Sequence, residues 1–306
     1  MGVALVTGAS RGIGSASAVA LALNGFDVAV AARTVVEGDG VDDSDNRGRR
    51  LPGSLESTAG RIEAAGQRAL TVRMDLLERR SLHSAVEVVL ERFGRIDVLV
   101  NNAVHTGPGS MTHIVDLTIP MLEEKMEANA VAPMILIKLV LPGMLERGRG
   151  HVVNVSSMAG RLSFPYSEAY AAAKDGLIGF TRVLRADYRS QGVSASSLIL
   201  GPVGEAGLGA RTAEEVGLKL PPVGLVSPAK IGKLTVRAIR KDKAELTVLP
   251  GPGKLLRASM DRFPGLGPAM NRVTGTGKAM RTVADYRERE ARVAGAHRHA
   301  REGSAR

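Results

Sequence analysis

The sequence of 306 residues contains no cysteine, which excludes disulfide bonds, thiolate metal ligands and a cysteine nucleophile. It contains no tryptophan either, and only 3% of its residues are aromatic. The core must therefore be built from Ala, Val, Leu and Ile, a composition that suits helices packed on a buried parallel sheet. The lack of cysteine also fits a reducing compartment.

A basic segment followed by a long apolar one is missing at the start of the chain. The sequence begins at once with VALVTGAS, whose apolar run is too short for a signal peptide or a membrane span. We therefore expect a cytoplasmic protein without a membrane span.

The chain has a formal net charge of +10, which raises the question of nucleic-acid binding. The Lys and Arg residues are spread along the chain and are not interleaved with aromatic residues. This pattern argues against a nucleic-acid partner. A local excess of positive charge would equally serve a phosphorylated small molecule.

Short apolar segments alternate with segments of helical period along most of the chain, which predicts an α/β fold. We expect a doubly wound, parallel, seven-stranded sheet with helices on both faces and right-handed crossovers, in one domain over 1–251. The predicted strands are 3–8, 27–33, 69–75, 96–103, 150–157, 193–200 and 245–251. The predicted helices are 15–25, 56–65, 80–93, 121–147, 168–190 and 228–241.

Two segments lack this alternation. Residues 36–54 are rich in Gly, Asp and Arg, and we expect a surface insertion that is mobile when nothing is bound. Residues 252–306 follow the last strand as a basic extension with one or two short helices, and we expect about the last ten residues to be disordered.

The segment VTGASRGIG places Gly8, Gly12 and Gly14 between the first strand and the first helix. Glycines at this point let the backbone turn sharply and approach a pyrophosphate, whose charge lies at the helix N-terminus. A structural turn needs glycine too, but the strand before and the helix after favour nucleotide binding.

The end of the second strand predicts the form of the nucleotide. A carboxylate there would hold the ribose 2′-hydroxyl, whereas this chain has Ala32 followed by Arg33, with Arg11 in the glycine loop. Two cations and no carboxylate favour NADP(H) over NAD(H), which stays possible. Two alternatives remain open: the arginines are simply solvated, or acidic residues such as Asp39 fold back on them.

A proton-transfer group is predicted between 155 and 174. Tyr170 is the one tyrosine of four with a lysine, Lys174, four residues on, so that both lie on one helical face. A nearby ammonium would lower the pKa of the tyrosine. Ser157 ends a predicted strand, where its hydroxyl would polarise a substrate oxygen. Taken singly, each has a structural explanation, as a helix start, a solvated lysine or a cap.

Together these motifs resemble the short-chain dehydrogenase/reductase family, with its Rossmann-type NAD(P)-binding fold. The matching segments are TGASRGIG, MD at 74–75, NNA at 101–103, Asn129 in MEANAVAP, Ser157 and YAAAK at 170–174. The resemblance covers roughly residues 2–250, in the family's order and close to its spacings.

The resemblance implies a role for each matching residue. Tyr170 would be the general acid/base, Lys174 would lower its pKa and bind the nicotinamide ribose, Ser157 would orient the substrate oxygen, and Asn129 would anchor a water. Ser156 is the rival of Ser157, and spacing favours Ser157. The cofactor-binding set would be Gly8, Ser10, Arg11, Gly12, Ile13, Gly14, Arg33, Asp75, Leu76, Asn101, Ala103, Tyr170, Lys174 and, through its backbone, Val203. A homodimer or homotetramer through helices 121–147 and 168–190 is also implied. No metal is expected.

The sequence departs from the family pattern near the nicotinamide. Val104 replaces a glycine after NNA, where a side chain would crowd the cofactor or shape the substrate pocket. Leu200 stands where the family has proline, and Glu205 where it has threonine. The loop 204–225 lies where the family keeps a mobile substrate lid, and its Gly, Leu and Pro content suggests a moderately apolar substrate.

His105 and Thr106, which follow Val104, are further candidates for lining the pocket. A single histidine at a strand end is more often structural or solvated.

Three hypotheses follow. The first is an NADP(H)-dependent enzyme that transfers a hydride between the cofactor and a carbonyl or secondary alcohol substrate. The second is a cofactor-sensing or scaffold protein on the same fold without turnover; such relatives usually lose the Tyr or Lys, and here both remain. The third is that the basic extension recruits an acidic partner.

Overall fold

A computed structural model describes residues 2–41, 50–107, 110–159, 163–201, 203–204, 225–249, 258–259, 262–263, 265–273 and 277–289. Seven strands form one parallel sheet in the order β3-β2-β1-β4-β5-β6-β7. The predicted doubly wound α/β class is confirmed. The strands are β1 Gly2–Thr7, β2 Phe26–Ala32, β3 Ala69–Arg73, β4 Val98–Asn101, β5 Gly150–Ser157, β6 Val193–Leu200 and β7 Glu245–Val248.

The helices that alternate with these strands begin and end close to the predicted positions. They are α1 Gly12–Ala22, α2 Leu55–Ala64, α3 Arg79–Phe93, α4 Ile119–Met126, α5 Ala132–Glu146, α6 Glu168–Tyr188 and α7 Pro228–Arg240. One π turn, Glu127–Val131, joins α4 to α5. A π turn inside a helix often marks a functional position.

Each strand contributes to two apolar layers because successive side chains point to opposite faces of the sheet. In β1, Val3 and Leu5 lie in the layer covered by α3, α5 and α6, whereas Ala4 and Val6 lie in the layer covered by α1, α2 and α7. Both faces are therefore buried, as is typical of a parallel sheet.

The parallel arrangement brings the carboxyl ends of β1, β4 and β5 to one edge of the sheet. Asn101 pairs with Asn154 across β4 and β5, and Ser157 pairs with Leu200 across β5 and β6. The glycine loop after β1 and the predicted catalytic segment after β5 therefore open on the same edge, where ligands bind in such sheets.

The predicted insertion 36–54 is described at both ends. An antiparallel bridge joins Val41 to Arg50, so the two ends lie side by side. The expectation of mobility falls mainly on 42–49, which lies outside the described residues.

Two helices of the extension 252–306 are described, α8 (Leu266–Val273) and α9 (277–289). On α9, Val283 and Ala284 are almost fully buried. This part of the extension therefore packs against the rest of the molecule.

One helical stretch, Ile119–Glu146, is long and apolar enough to cross a membrane by length and composition. Half of its most apolar window is buried, and Leu136, Ile137 and Val140 pack in the core. A core helix of a soluble protein passes the same test, so the absence of a membrane span stays a prediction.

A buried histidine lies at the opposite edge of the sheet from the glycine loop. His151 of β5 has its Nε2 2.7 Å from Oγ of Ser196. Burial lowers its pKa from 6.5 to about 4, an effect that the charge of Asp242 opposes and that of Arg185 reinforces. His151 is therefore neutral in the native state at neutral pH.

We predict that the free energy of unfolding falls as the pH falls from about 6.5 to 4. Across this window the unfolded chain protonates His151 and the native protein does not, which costs roughly 3 kcal/mol in total. His151→Asn should therefore flatten the pH slope of denaturant unfolding between about pH 7 and pH 5. The exposed His83, changed to Asn, is the matched control. An unchanged slope in His151→Asn would contradict the assignment.

Candidate active site

The loop after β1 makes close backbone contacts that admit no side chain. Gly8 has a φ of +65°, and a Cβ atom there would lie 2.7 Å from Cα of Ala103. A Cβ atom at Gly14 would lie 2.2 Å from the carbonyl oxygen of Gly8. Gly12 has a φ of +56°, which is also left-handed backbone. Glycine at these positions therefore lets the loop pack closely against β4 and turn into α1.

Asn102 and Thr7 hold this loop in shape. Nδ2 of Asn102 donates to the carbonyl oxygens of Thr7 at 3.0 Å and Gly8 at 3.2 Å. Oγ1 of Thr7 accepts from the backbone N–H groups of Asn102 and Ala103, both at 3.0 Å. These contacts join the ends of β1 and β4.

The N-terminus of α1 fits the pyrophosphate of a dinucleotide. Its N-cap residue, Arg11, makes no side-chain cap, and the first turn contains no acidic residue. The first N–H groups of the helix and its positive dipole end suit an anion. Ser10 is buried at this turn, and Ile13 packs on the apolar layer beneath it.

The two predicted phosphate-binding arginines differ in environment. Arg11 donates to the carbonyl oxygens of Pro52 at 2.9 Å and Gly53 at 3.1 Å, and to Oγ1 of Thr34 at 3.2 Å. Arg33 is exposed at the end of β2. Arg11 thus ties the end of the insertion to the glycine loop.

The remaining predicted cofactor residues lie along the same edge. Oδ1 of Asp75 accepts from the N–H of Leu77 at 3.0 Å, so its carboxylate shapes its own turn. Leu76 is buried beside it. Val203 forms a parallel bridge with Val226.

Asn101, predicted to line the cofactor, has a buried side chain that bonds to neighbouring elements. Its Nδ2 donates to Oδ1 of Asn154 at 2.9 Å and to the carbonyl oxygen of Pro133 at 3.3 Å, and the residue is only 3% exposed. Through Nδ2 the side chain joins β4 to β5 and α5, and its role at the cofactor stays a prediction.

Ser157 and Tyr170 meet at the carboxyl end of β5. Ser157 is the last residue of β5 and Tyr170 lies in the first turn of α6, with the Ser157 hydroxyl near enough to the phenol to lower its pKa. Oγ of Ser157 also accepts from the N–H of Ala159 at 3.1 Å. The serine hydroxyl and the phenol therefore face one point.

Lys174 lies below Tyr170 on the same face of α6. Its Nζ is 5.9 Å from the centroid of the Tyr170 ring and donates to the carbonyl oxygen of Val155 at 3.1 Å. Burial lowers the pKa of Lys174 to about 8. A buried lysine held this way is an ammonium at neutral pH with a reduced tendency to keep its proton.

Ser156, the rival of Ser157, points into the protein. Its hydroxyl donates to the carbonyl oxygen of Lys174 at 2.9 Å, and the residue is 3% exposed. Ser156 therefore fixes α6 on β5, and the hydroxyl next to Tyr170 belongs to Ser157.

The expected direction of the Tyr170 pKa is not what the structure gives. Burial raises the pKa above 10.0, and the hydrogen bond from Ser157 offsets this only in part. The reason is that desolvation of the phenolate outweighs any stabilisation by the ammonium of Lys174. Tyr170 is therefore a phenol, a proton donor, in the protein without ligand.

Asn129 lies inside the π turn and is fully buried. Its Nδ2 donates to the carbonyl oxygen of Lys125 at 3.0 Å, and its Oδ1 accepts from the N–H of His105 at 3.2 Å. Lys125 is 1% exposed, and its Nζ donates to the carbonyl oxygen of Gly107 at 2.6 Å. These bonds fix the loop after β4 against the helix.

The residues that depart from the family pattern are partly described. Val104 is 40% exposed, so its side chain lies at the mouth of the site. The ring of His105 lies 3.8 Å from a carboxylate oxygen of Glu124, and Thr106 accepts a bond from Ser110 through its carbonyl. Leu200 is buried at the end of β6. Glu205 and the predicted lid, apart from residues 204 and 225, lie outside the described residues.

Comparison with known proteins gives this geometry a family. The model of the family described as "short chain dehydrogenase" matches residues 48–216. The chain belongs to this family. It is accordingly an oxidoreductase with a Rossmann-type NAD(P)-binding fold.

Two cyanobacterial relatives illustrate the similarity. The ketoacyl reductase HetN of Nostoc sp. is 30% identical over 248 residues, which cover 81% of this chain and 78% of HetN. A 3-oxoacyl-[acyl-carrier-protein] reductase of Synechocystis sp. is 31% identical over 199 residues, covering 65% of this chain and 73% of the relative.

Two solved structures of the family superpose on most of the chain. An alcohol dehydrogenase from Thermococcus sibiricus complexed with 5-hydroxy-NADP gives a TM-score of 0.65 at 26% identity, covering 82% of this chain and 97% of that one. A metagenomic short-chain oxidoreductase in complex with NADP gives 0.63 at 28% identity, with the same coverage.

Sequence reasoning missed Thr7, Asn102 and Lys125. Asn102 and Thr7 stand within or beside motifs that were recognised, so their positions carried a usable signal. Lys125 stands in the polar segment EEKM and carries none, because a lysine there is typical of a solvated helix face.

We predict that Ser157→Ala and Ser156→Ala have opposite effects. Ser157→Ala should lower turnover by about 10- to 1000-fold at nearly unchanged stability, because it removes a polar group that faces the reacting oxygen. Ser156→Ala should keep more turnover than Ser157→Ala. It should lower the free energy of unfolding by about 1–3 kcal/mol, because the buried hydrogen bond to the carbonyl of Lys174 is lost. Thermal unfolding and steady-state kinetics of the two variants distinguish the roles. Equal loss of turnover in both would contradict the assignment.

Proposed function

We propose that this protein is an NADP(H)-dependent carbonyl reductase or alcohol dehydrogenase, acting on a C=O or secondary CH–OH group. The observation that carries the proposal is the meeting of Ser157 and Tyr170 above the buried Lys174, at the sheet edge onto which the glycine loop also opens. When bound, the nicotinamide supplies or accepts the hydride.

The side chains provide the proton and the orientation. Ser157 would donate a hydrogen bond to the substrate oxygen, and Tyr170 would deliver a proton to that oxygen as negative charge develops on it. With its pKa raised by burial, Tyr170 is protonated at neutral pH and can act as the proton donor in reduction.

Lys174 and Asn129 would complete the proton path. Lys174 is held at the carbonyl of Val155, close enough to Tyr170 for its charge to stabilise the phenolate that remains after proton transfer. Asn129 is held in the π turn by its bonds to Lys125 and His105, and the water-anchoring role assigned to it rests on the family resemblance.

The preference for NADP(H) rests on Arg33. It is exposed directly after Ala32, a position that carries no carboxylate, and its guanidinium suits a 2′-phosphate. Two similar structures carry NADP or a hydroxylated NADP. Arg11, which contacts Pro52 and Gly53 beside the glycine loop, is the second cation assigned to the phosphate end.

We propose 3-oxoacyl compounds as the first substrates to test, because two of the similar proteins are named as reductases of such compounds. We further propose a homodimer or homotetramer formed through α4, α5 and α6. Exposed apolar residues on these helices, Ile119, Leu122 and Val183, support it. A cytoplasmic location accords with the cysteine-free composition.

We predict that Tyr170→Phe lowers turnover by about 10²–10⁴-fold and leaves NADPH affinity within about threefold, because only the proton donor is lost. Reduction would be followed with NADPH and a panel that begins with ethyl acetoacetate and 3-oxoacyl thioesters. Tyr188→Phe, at the other end of α6, is the matched control and should keep full turnover.

A chain that binds NADPH but turns over no member of a broad carbonyl panel would favour the sensor or scaffold alternative. Retention of full turnover by Tyr170→Phe would contradict the role assigned to the phenol.

We predict at least a tenfold preference for NADPH over NADH in a paired calorimetric titration at low salt. A charge-assisted bond to the 2′-phosphate is worth about 1.5–3 kcal/mol, which corresponds to this ratio or more. Arg33→Ala should bring the two affinities close together, whereas Arg92→Ala, a change at an exposed arginine at the end of α3, should not.

Equal affinities in the unaltered protein, or a preference for NADH, would mean that Arg33 does not meet the phosphate. Failure to bind either nucleotide would mean that the residues around Val104 or the 200–205 loop close the site.

A further inference from the structure

The extension after the last strand packs directly on the catalytic segment. Leu266 of α8 joins an apolar cluster with Met158, which follows Ser157, with Ile178 of α6, and with Ile199 of β6. Met158, Ile178 and Ile199 are at most 2% exposed. This contact reaches from α8 to the strand and the helix that carry the catalytic side chains.

Two polar contacts continue the attachment along the loop between β5 and α6. Nδ2 of Asn271, which is 8% exposed, donates to the carbonyl oxygen of Ser163 at 2.9 Å. Nε of Arg281 on α9 donates to the hydroxyl of Tyr166 at 3.0 Å. Both acceptors lie between Ser157 and Tyr170 in the sequence.

The same helix also holds the loop after β4, which borders the site on its other side. Nε2 of His113 lies 3.1 Å from Oδ1 of Asp285, and Arg287 donates to the carbonyl oxygen of Ser110. The rings of His113 and Tyr166 meet edge-on, with centroids 4.6 Å apart. The two loops and α9 thus meet at one point.

Backbone strain coincides with these contacts. Among the described residues other than glycine, four have a positive φ, and three of them lie in these two loops: Met111 at +53°, Ser163 at +49° and Tyr166 at +62°. Residues with side chains adopt this conformation only when their surroundings enforce it, and such residues cluster at functional sites. Two of the three, Ser163 and Tyr166, are themselves bonded by the extension.

His113, Asp285 and Glu288 also place ligand atoms within 4.8 Å of one another, as a metal site would. The charge of Arg281 acts on Asp285, and Arg289 bonds the Asp285 carbonyl, so the surroundings are already cationic. The direct contact of His113 with Asp285 accounts for the arrangement without an ion.

We propose that the extension is a positioning element of the active site. Through Asn271 and Arg281 the extension holds the loop 163–167 in the strained conformation that places Tyr170 near Ser157. Through its contacts with His113 and Ser110 the extension also fixes the loop after β4. It therefore forms part of the wall around the substrate. The kinetic part of this proposal rests on the proposed carbonyl reduction; the structural part does not.

The test uses the full chain with single substitutions. Asn271→Leu removes the donor to Ser163 at similar size, and Arg281→Met removes the donor to Tyr166 at an exposed position where folding is not at risk. Arg281→Lys, which keeps a cationic donor, should restore part of the effect. Arg272→Ala and Lys278→Ala remove exposed cations from the same two helices and serve as matched controls.

The first measurement is hydrogen–deuterium exchange, which needs no substrate. The N–H of Phe164 bonds to the carbonyl of Ala159 at 3.0 Å, and the N–H of Ala159 bonds to Oγ of Ser157 at 3.1 Å. If the extension holds this loop, both amides should exchange about tenfold faster in Asn271→Leu and Arg281→Met, and at the unaltered rate in the controls.

The second measurement is the kinetics with NADPH and the best carbonyl of the panel. Misplacement of Tyr170 should lower kcat and raise KM, for a loss in kcat/KM of about 10- to 100-fold, at unchanged affinity for NADPH. If the extension had a merely structural role, the variants would lose stability while kcat and KM stayed unchanged.

Unchanged exchange in both variants would overturn the proposal. Faster exchange with unchanged kcat and KM would overturn the catalytic part of the proposal. The extension would then only stabilise the two loops. If the unaltered chain reduces no carbonyl, the proposed function fails, and the exchange measurement alone decides whether the extension holds the loops.

Discussion

The attachment of α6 to β5 is the constraint on which the site depends. Two hydrogen bonds run in opposite directions between them, from the Ser156 hydroxyl to the Lys174 carbonyl and from the Lys174 ammonium to the Val155 carbonyl. They set the height of the helix against the strand, and so the position of Tyr170 above Ser157. Because both bonds are buried, they favour this one placement of α6 on β5.

Burial has an electrostatic consequence for the same residues. It raises the pKa of Tyr170 and lowers that of Lys174 to about 8, since desolvation disfavours the charged form of each. Without ligand, Tyr170 is a phenol, and Lys174 is an ammonium that holds its proton less tightly than an ordinary lysine. This state suits the transfer of a proton to a carbonyl oxygen. The charge on a bound cofactor phosphate or on a developing alkoxide would stabilise the ammonium.

The two segments without hydrophobic period, the insertion and the extension, lie against opposite ends of this site. Arg11 ties Pro52 and Gly53 of the insertion to the glycine loop, at the nucleotide end. Asn271 and Arg281 tie the extension to the loop before Tyr170, at the substrate end. The sheet supplies the shared chemistry, and these added segments act on the loops whose positions set cofactor and substrate fit.

Local sequence determined the sheet, most helices, the glycine loop and the Tyr–Lys pair, because hydrophobic period, glycine geometry and helical spacing act over a few residues. The distinction between Ser156 and Ser157, the burial of Lys125 and the raised pKa of Tyr170 were decided by tertiary structure. Each depends on which groups far along the chain surround the residue, and desolvation is a property of those surroundings. The same holds for the extension. Its sequence predicted one or two short helices but not where they pack, because its contacts with Ser163 and Tyr166 join residues more than a hundred positions apart.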